Sequence, residues 1–262
     1  MNEVAGQDAN RQTSHLEALR ASELDDALRL IAPPATLLEV GAGSGWQARE
    51  LARRGFAVSA VDVSSESHVG QHFEVAQYDG CHLPFATRTF DLVFSSNVLE
   101  HVTDLPALLA DCDRVLRPGG RMLHLMPSVS WRFWTCVAHY GFLIKSVLSR
   151  REAVDAAGIR VSPASTLRKR GLLGTLVRIL AATPHGEFPT VAHELLAFRQ
   201  QAWRRQFEAS GWRVRSVGAS SLFYTGYGLA PRMSLERRRF LASVLGAGCN
   251  WFIVERATHA PQ

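Results

Sequence analysis

The chain has 262 residues, of which 47% are hydrophobic and 20% charged. This composition is typical of one folded domain with an insertion or appendage, and it excludes disordered, collagen-like and disulfide-scaffold chains. Lysine and arginine number 29 and aspartate and glutamate 24, so the formal net charge is +5, a mildly basic balance that does not by itself indicate nucleic-acid binding.

Cysteine usage and apolar stretches bear on the cellular compartment. The four cysteines, at 81, 112, 136 and 249, form no CxxC pair, so we predict no zinc site and expect a reducing compartment. Residues Met1–Asn10 contain two acids and neither a basic nor an apolar signal region. The longest mainly apolar stretches, Phe133–Ile144 and Phe240–Val254, are shorter than the roughly 18 to 20 residues that span a bilayer. We therefore expect a cytoplasmic protein.

Helical and strand patterns alternate from the start of the chain. Leucines at near-helical spacing predict a leading helix over Ser14–Ile31, which Pro33 and Pro34 end. The apolar run Thr36–Val40 predicts a strand that leads into a glycine loop. The later predicted elements are helices at Gln47–Arg54 and Leu105–Leu116, a turn at Pro118–Gly120, and strands at Phe56–Val63, Phe73–Tyr78, Phe90–Ser95 and Arg121–Met126.

This alternation predicts an α/β fold with a doubly wound, mostly parallel seven-stranded sheet, helices on both faces and right-handed crossovers. After Met126 the alternation stops, and we expect a helical insertion. A helix at Glu194–Ser210 and strands at Trp212–Val217 and Asn250–Val254 are predicted to complete the sheet. The predicted parts are a helical lead at 1–34, an α/β core at 35–127, a helical insertion at 128–193 and a closing segment at 194–262.

The loop Gly41–Gly45 carries glycine at every second position. Glycine permits positive φ, so we expect the loop to approach a ligand closely and to expose its N–H groups. Trp46 stands where a dinucleotide fingerprint needs its third glycine, and the spacing therefore favours another cofactor. Glu39, inside an apolar strand end, would repel a pyrophosphate but could pair with a cation. Asp62 ends the second strand, where a carboxylate can accept hydrogen bonds from ribose hydroxyls.

A set of motifs follows in a fixed order: Leu37–Gly45, Ala60–Asp62, Tyr78–Gly80 with Leu83–Phe85, Phe90–Val93, Val98–Val102 and Leu116–Gly120. In this order the motifs resemble those of class I S-adenosylmethionine-dependent methyltransferases, most closely the branch that methylates small molecules, quinones, sugars and lipids. The resemblance covers residues 36–127. It implies that Glu39 faces the cationic amino-acid end of the cofactor, the glycines its body, Asp62 its ribose and Asp79 its adenine amino group.

The resemblance thus implies S-adenosylmethionine as cofactor. The residues expected to bind it are Glu39, Gly41, Ala42, Gly43, Gly45, Asp62, Val63, Asp79, Gly80, Ser96 and Asn97. In resembling quinone O-methyltransferases a Glu-Val-x-Glu-His segment is associated with a divalent ion. Here Asn97 takes the first position, before Glu100 and His101, and we predict no metal.

Catalytic residues are harder to identify, because a sulfonium methyl donor is already activated and the protein mainly has to align the acceptor and exclude water. A hydroxyl acceptor also benefits from a general base. Our candidates are His101, after the fourth strand, and His185, in a polar turn. His124 lies in an apolar strand and is interpreted as a core residue. Other residues that could cover the acceptor site are His193, Glu194, Tyr224 and Tyr227.

The segment Trp131–Arg150 bears on the acceptor. Drawn as a helix, it has a narrow polar stripe and is otherwise apolar; the stripe contains Arg132, Thr135, His139, Ser146 and Arg150. Three interpretations stay open: a lid that lines a hydrophobic acceptor site, an interfacial helix on an anionic membrane leaflet, and a dimer interface. The interfacial interpretation also uses the flanking basic residues Arg132, Lys145, Arg150, Arg151 and Arg168–Arg170.

The sequence therefore predicts methyl transfer from S-adenosylmethionine to a small-molecule acceptor, on an oxygen of a partly apolar metabolite, glycan or lipid-linked intermediate. The location is expected to be cytoplasmic, with peripheral contact at the inner face of the membrane as an open alternative. Other functional alternatives are a non-catalytic S-adenosylmethionine-binding protein and an RNA or protein methyltransferase. The arginines at 204–205 and 237–239 are interpreted as solvated helix faces, so we expect no nucleic-acid partner. The oligomeric state is not predicted.

Overall fold

The computed structural model describes residues 17–29, 31, 36–63, 71–141, 185–226 and 233–257, together with the helix backbone to 149 and two short strands, Ala153–Val154 and Arg160–Val161. The chain divides into two compact units. The α/β unit comprises Leu16–Met126, Gln200–Ser220 and Cys249–Gln262, and the insertion unit comprises Met1–His15, Pro127–Arg199 and Ser221–Gly248. The predicted four-part division stays a prediction.

The α/β unit is built on a seven-stranded sheet in the order β3-β2-β1-β4-β5-β9-β8. Its strands are β1 Thr36–Val40, β2 Ala57–Asp62, β3 Ala76–Gln77, β4 Phe90–Ser96, β5 Leu116–Pro127, β8 Trp212–Ala219 and β9 Cys249–Arg256, and the two short strands of the insertion unit are β6 and β7. The pairs β1–β2, β2–β3, β1–β4 and β4–β5 are parallel, whereas β8 and β9 are antiparallel. The predicted doubly wound, mostly parallel sheet is confirmed.

Helices cover both faces of this sheet: α1 at 17–28, α2 at Trp46–Arg53, α3 at Leu105–Val115 and α6 at Gln200–Ala209. Successive strand residues enter opposite cores, as the two-residue period of a strand requires. Leu38 and Val93 join a core with α3 and α6, while Leu37 and Leu92 join a core with α1 and α2. The chain leaves β1 towards β2 and later returns to β4 on the other side of β1. This switch point places a ligand crevice at the carboxyl ends of β1 and β4.

Three sequence predictions differ from the structure. The helix predicted at Glu194–Ser210 is two helices, α5 Val191–Ala197 and α6, and the break falls where the chain passes from the insertion unit to the α/β unit. The turn predicted at Pro118–Gly120 lies inside β5, where the pairing with β4 shifts register. The strand predicted at Phe73–Tyr78 is reduced to Ala76–Gln77.

The insertion unit contains α4 Val129–Ser149, α5 and α7 Leu235–Leu245. Ser128 accepts a hydrogen bond from the Trp131 N–H at 2.9 Å and so satisfies one donor in the first turn of α4. The Trp134 indole donates to the carbonyl of Leu245 at 3.0 Å, which ties α4 to the end of α7. Segment Trp131–Ser149 is thus helical, as predicted.

The described residues of the polar stripe of α4 face inward within the insertion unit. Arg132, Thr135 and His139 are buried, whereas three apolar residues are about half exposed: Phe133 50%, Val137 47% and Tyr140 50%. No helix in the described part of the chain has both the length and the apolar character needed to cross a bilayer. Several predicted residues lie outside the residues whose side chains are described: Lys145, Ser146, Arg150, Arg151, Arg168–Arg170 and Tyr227.

Candidate functional site

The predicted ligand residues of the α/β unit lie at one edge of the sheet. Val40, at the end of β1, pairs with Val61 of β2 on one side and with Ser95 of β4 on the other. Because all three strands are parallel, the residues that follow each of them lie at the same edge. These residues are the loop Gly41–Gly45, Asp62 with Val63, and Ser96 with Asn97.

The three glycines of the loop have positive φ, of +75°, +53° and +75° at positions 41, 43 and 45. At Gly41 a Cβ would lie 2.3 Å from a methyl group of Val98, and at Gly45 it would lie 2.7 Å from the Cβ of Phe73, so packing inside the protein excludes a side chain at both. At Gly43 a Cβ would meet no atom within 4 Å. Position 43 is therefore where a ligand can come close to the main chain.

Hydrogen bonds within the protein use most N–H groups of the loop. Gly41 and Ala42 donate to the Val61 carbonyl at 2.9 and 3.0 Å, and Gly45 donates to the Ala42 carbonyl at 2.8 Å. Gly43 donates to Oδ2 of Asp62 at 2.8 Å. The expectation that the loop exposes its N–H groups is wrong for these four residues, because the tight turn closes on itself and on β2. The loop therefore contributes to a ligand site through its backbone shape more than through free N–H donors.

Glu39 is a carboxylic acid inside the sheet. It lies in β1 between Ala60 and Phe94 of the neighbouring strands and is 1% exposed. Its Oε2 has no hydrogen-bond partner among the described residues. Burial, and secondly the charge of Asp62, raises the pKa of Glu39 to about 8. A carboxyl group of this kind favours a cation that approaches from outside the protein.

The two aspartates predicted to bind the cofactor also stabilise local structure. Asp62 anchors the glycine loop through the N–H of Gly43. Asp79 accepts hydrogen bonds from the backbone N–H groups of Cys81 and His82, at 2.8 and 2.6 Å, and lies 2.7 Å from the imidazole of His82. These hydrogen bonds hold the pKa of Asp79 well below its usual range. Both carboxylates are thus fixed in position by hydrogen bonds, as an acceptor for a ligand should be.

The remaining predicted ligand residues lie beside these groups. Val63 is 55% exposed, and a Cβ at Gly80 would lie 3.6 Å from it, so the ends of β2 and β3 are adjacent. Asn97 has a φ of +56°, which is uncommon for a residue with a side chain and is often found at functional sites. Its amide lies within hydrogen-bond distance of the Ser96 hydroxyl and of the Arg20 guanidinium.

Sequence reasoning missed Arg20. It lies on α1, far from the motifs along the chain, and only the fold brings it to the end of β4. No spacing signal in the sequence connects the two positions. The guanidinium of Arg20 lies next to Asn97 and also forms an ion pair with the buried Glu23, at 3.1 Å.

The predicted catalytic histidines belong to different units. His101 lies in the α/β unit, in a short 3-10 turn at Leu99–His101, and its side chain is 42% exposed with Nε2 at 4.0 Å from Glu100 Oε1. His185 lies in the insertion unit. His124 is a buried core residue, as predicted: its Nδ1 lies 2.8 Å from the Ser95 hydroxyl and its ring stacks on Phe207. Burial lowers the pKa of His124 to about 3, so it stays neutral.

His185 is held by a buried ion pair. Glu194 of α5 accepts hydrogen bonds from the backbone N–H groups of His185 and Gly186, the second at 2.7 Å. Its other oxygen lies 2.6 Å from Nε of Arg132 on α4. The imidazole of His185 packs against the Trp131 indole, with ring centroids 4.8 Å apart. Among the other predicted covering residues, His193 lies beside the Thr190 hydroxyl at 2.7 Å and Tyr224 is buried.

Comparisons with known proteins show what the α/β unit is similar to. Residues 38–124 match a family model described as "Methyltransferase domain". The ubiquinone biosynthesis O-methyltransferase of Caulobacter vibrioides is 33% identical over 117 residues, which cover 40% of this chain and 46% of that protein. The malonyl-[acyl-carrier protein] O-methyltransferase of Serratia marcescens is 32% identical over 126 residues, covering 44% and 49%.

A third relative, the demethylmenaquinone methyltransferase of Corynebacterium urealyticum, is 38% identical over 95 residues, covering 35% of this chain and 41% of that protein. The matched regions span less than half the length of each of these three relatives. Among solved structures, a SAM-dependent methyltransferase from Aquifex aeolicus superposes with a TM-score of 0.50 at 12% identity, covering 89% of both chains. At that identity the likeness concerns the fold.

Proposed function

We propose that the chain, which matches a methyltransferase family model over residues 38–124, is a class I methyltransferase that transfers a methyl group from S-adenosylmethionine to a small-molecule acceptor. The family, the enzyme class and the cofactor are those predicted from the order of the motifs. The acceptor, the methylated atom and the role of each residue belong to the proposal.

The observation that carries the proposal is the buried carboxyl of Glu39. S-adenosylmethionine has an ammonium group at its amino-acid end and a sulfonium centre, and Glu39 offers an oxygen that no described residue uses. The open side of Gly43 leaves room for a ligand against the main chain. The residues present therefore fit this group.

The remaining assignments follow the chemistry of each side chain. Asp62 and Asp79 offer carboxylate oxygens as hydrogen-bond acceptors suited to ribose hydroxyls and the adenine amino group. The backbone of Ala42, Gly41 and Gly45 shapes the wall of the site. Val63, Gly80, Ser96 and Asn97 complete the set predicted to contact the cofactor, at the ends of β2, β3 and β4.

When bound, S-adenosylmethionine supplies an electrophilic methyl group whose leaving group is a neutral thioether. The protein then has to orient a nucleophile in line with the S–C bond, exclude water, and accept a proton where the acceptor is a hydroxyl. In that transfer the O–C bond forms as the S–C bond breaks, and the hydroxyl proton passes to a base. His101 and His185 are the proposed bases.

We propose an oxygen of a partly apolar metabolite, glycan or lipid-linked molecule as the methyl acceptor. Two of the relatives carry O-methyltransferase in their names, and the quinone-related names indicate apolar acceptors for those proteins. The exposed apolar side chains of α4 support an acceptor of this character.

A labelled-methyl assay tests the proposal. The purified protein is incubated with methyl-labelled S-adenosylmethionine and a panel of catechols, hydroquinones, lipid-linked sugars and carboxylic acids, with total RNA and a protein extract as further samples. We expect one small molecule to gain a single labelled methyl group, with release of S-adenosylhomocysteine. Cofactor binding without any transfer would favour a non-catalytic binding protein, and label in RNA or protein would favour a macromolecular substrate.

We also propose that α4 makes peripheral contact with a membrane surface. Phe133, Val137 and Tyr140 are spaced by four and three residues and therefore share one helix face, and all three are half exposed. Arg132 is not available to lipid head groups, because it is buried against Glu194; in this respect the interfacial interpretation needs correction.

Liposome flotation tests this contact. Vesicles with and without anionic lipid are mixed with the wild type, with Phe133→Asp/Val137→Asp, and with Leu196→Asp, which charges an exposed apolar residue of α5. We expect flotation of the wild type and of Leu196→Asp only. A wild type that stays at the bottom of the gradient would exclude membrane contact and leave the lid or dimer interpretation.

A further inference from the structure

The insertion unit contains a buried ion pair that is not part of the proposed cofactor site. Arg132 and Glu194 are 2% and 0% exposed, and their Nε and Oε2 atoms are 2.6 Å apart. Such a pair costs desolvation energy that an apolar pair of similar size would avoid, so its presence calls for a role that apolar side chains cannot fill.

That role is visible in the contacts of Glu194. Its Oε1 accepts the backbone N–H groups of His185 and Gly186, and only an acceptor can hold these two donors away from water. A buried carboxylate in turn needs a counter-charge, which Arg132 supplies. Glu194 is fixed by its own helix, since its N–H donates to the Thr190 carbonyl at 3.1 Å and its carbonyl accepts from Phe198 at 2.8 Å.

The side chain of His185 is oriented by the same turn of α4. Its imidazole meets the Trp131 indole edge-on, with centroids 4.8 Å apart and planes at 63°. Trp131 precedes Arg132, so two consecutive residues of α4 determine the position of the His185 backbone and ring. A ring contact between Phe188 and Phe198, at 5.8 Å, closes the other end of this turn.

We propose that the Arg132–Glu194 ion pair is a positioning device for His185, and that His185 is the proton acceptor for a hydroxyl substrate. This inference rests on the proposed function. As the acceptor oxygen forms its bond to the methyl carbon and the S–C bond breaks, the hydroxyl proton passes to the neutral imidazole, and the imidazolium later returns it to water. Glu194 and Arg132 touch neither substrate nor cofactor in this scheme; they act through the turn at 185–188.

The first test is spectroscopic and needs no acceptor. In protein with labelled histidine rings, His185→Gln identifies the His185 resonance, which we expect to be single and displaced by the ring current of Trp131. Glu194→Gln should broaden it or return it to the position of a mobile histidine. Glu187→Gln, the same change at an exposed acid two residues from His185, should leave it in place.

Hydrogen exchange on the unmodified protein keeps the proposal testable if Glu194→Gln fails to fold. The Gly186 amide should exchange at least about 100-fold more slowly than an unprotected amide, because Glu194 holds it. Exchange at the unprotected rate, or a His185 resonance that Glu194→Gln leaves unchanged, would overturn the positioning role.

The catalytic part is tested by a double-mutant cycle in the labelled-methyl assay. His185→Gln should lower kcat by about 10²- to 10⁴-fold with little change in KM, and should remove the acidic limb of the pH profile. Glu194→Gln should lower kcat in the same direction, and the double variant should be no slower than His185→Gln. Full activity in His185→Gln would contradict the role of His185 as proton acceptor but not the proposed methyl transfer. No transfer by the wild type would instead contradict the proposed function, and the spectroscopic test of the positioning role would still apply.

Discussion

Two buried acids, Glu39 of the α/β unit and Glu194 of the insertion unit, differ in whether the protein pairs their oxygens. In the α/β unit the apolar residues of the strands enter two cores, and the carboxyl of Glu39 is left with an oxygen to which no described residue donates a hydrogen bond. In the insertion unit α4 buries Arg132 and Thr135, and both meet polar partners there: Glu194 in the first case and the N–H of Gly226, at 2.9 Å, in the second.

The comparison indicates what each arrangement is for. A buried polar atom without a partner is unfavourable in the free protein and becomes favourable only when a ligand pairs with it. A buried polar atom with a partner is satisfied already and serves to fix the backbone. This difference supports the proposed roles of Glu39 in ligand recognition and of Glu194 in fixing a turn.

The largest effect we expect is the loss of stability when the buried ion pair is broken. Arg132→Met leaves the Glu194 carboxylate buried without its counter-charge and should lower the free energy of unfolding by about 3 to 5 kcal/mol. Urea denaturation measures this loss in the free energy of unfolding. Arg213→Met is the matched control, because Arg213 forms an exposed pair with Glu255, and its loss should cost less than about 1 kcal/mol. Equal losses in the two variants would remove the distinction between the units.

The next effect concerns the glycine loop. Gly43→Val fills the open side of the loop and should weaken binding of S-adenosylhomocysteine by roughly 100-fold, about 3 kcal/mol, in calorimetry. Gly211→Val is the control: Gly211 also has a positive φ, +82°, with no atom within 4 Å of its Cβ position. Both variants place a branched side chain at a positive φ with open space around its Cβ, so a loss of affinity in both, or in neither, would contradict a ligand at Gly43.

Much of the α/β unit could be predicted from the sequence, because its signals are local. Apolar strands, the alternate glycines and the polar residue after each strand lie within short segments, and parallel strands bring these segments to one edge. The family resemblance added the cofactor. The partners of the residues could not be predicted, since they come from distant segments: Arg20 reaches Asn97 from α1, and Val98 excludes a side chain at Gly41.

The insertion unit was less predictable for a physical reason. The helical pattern of α4 is clear in the sequence, but the direction of its polar stripe depends on a glutamate more than sixty residues later. Nothing near Arg132 indicates that its charge is paired inside the protein. In the same way, the sequence did not indicate that Ser221–Gly248 belongs with the insertion.

A moderate effect is expected at Asp62, which anchors the loop and is proposed to bind ribose. Asp62→Ala removes both contacts and should weaken cofactor binding by roughly 1 to 3 kcal/mol. Asp62→Asn keeps an oxygen that can accept the Gly43 N–H and should lose less. Calorimetry on the two folded variants separates the roles: equal losses would assign the effect to the negative charge, and unchanged affinity in Asp62→Ala would count against any role in binding.

The smallest effect, and the sharpest test of an unsatisfied group, is the pH dependence at Glu39. With a pKa of about 8 in the free protein, Glu39 is mostly protonated at neutral pH, and a cationic ligand binds to its ionised form. Binding should therefore release a proton, and affinity should rise with pH up to about 8, by at most about tenfold, or 1.4 kcal/mol, per unit. Calorimetry in buffers of different ionisation enthalpy counts the protons.

Two variants complete this test. Glu39→Gln should abolish the proton release and flatten the pH dependence, whereas Glu50→Gln should leave both unchanged, because Arg54 and Arg53 lower the pKa of Glu50 and keep it ionised. The free energy of unfolding should change with pH in the opposite direction from the affinity. The folded chain holds the Glu39 proton more tightly than the unfolded chain, so the free energy of unfolding of the wild type should fall as pH rises from about 4.5 towards 8, and Glu39→Gln should lack that decline. If Glu39 is a ligand-binding acid buried without a partner, Glu39→Gln should bind the cofactor more weakly and yet unfold at a higher temperature than the wild type at pH 8. If Glu39→Gln loses both affinity and stability, Glu39 is instead a structural residue of the core.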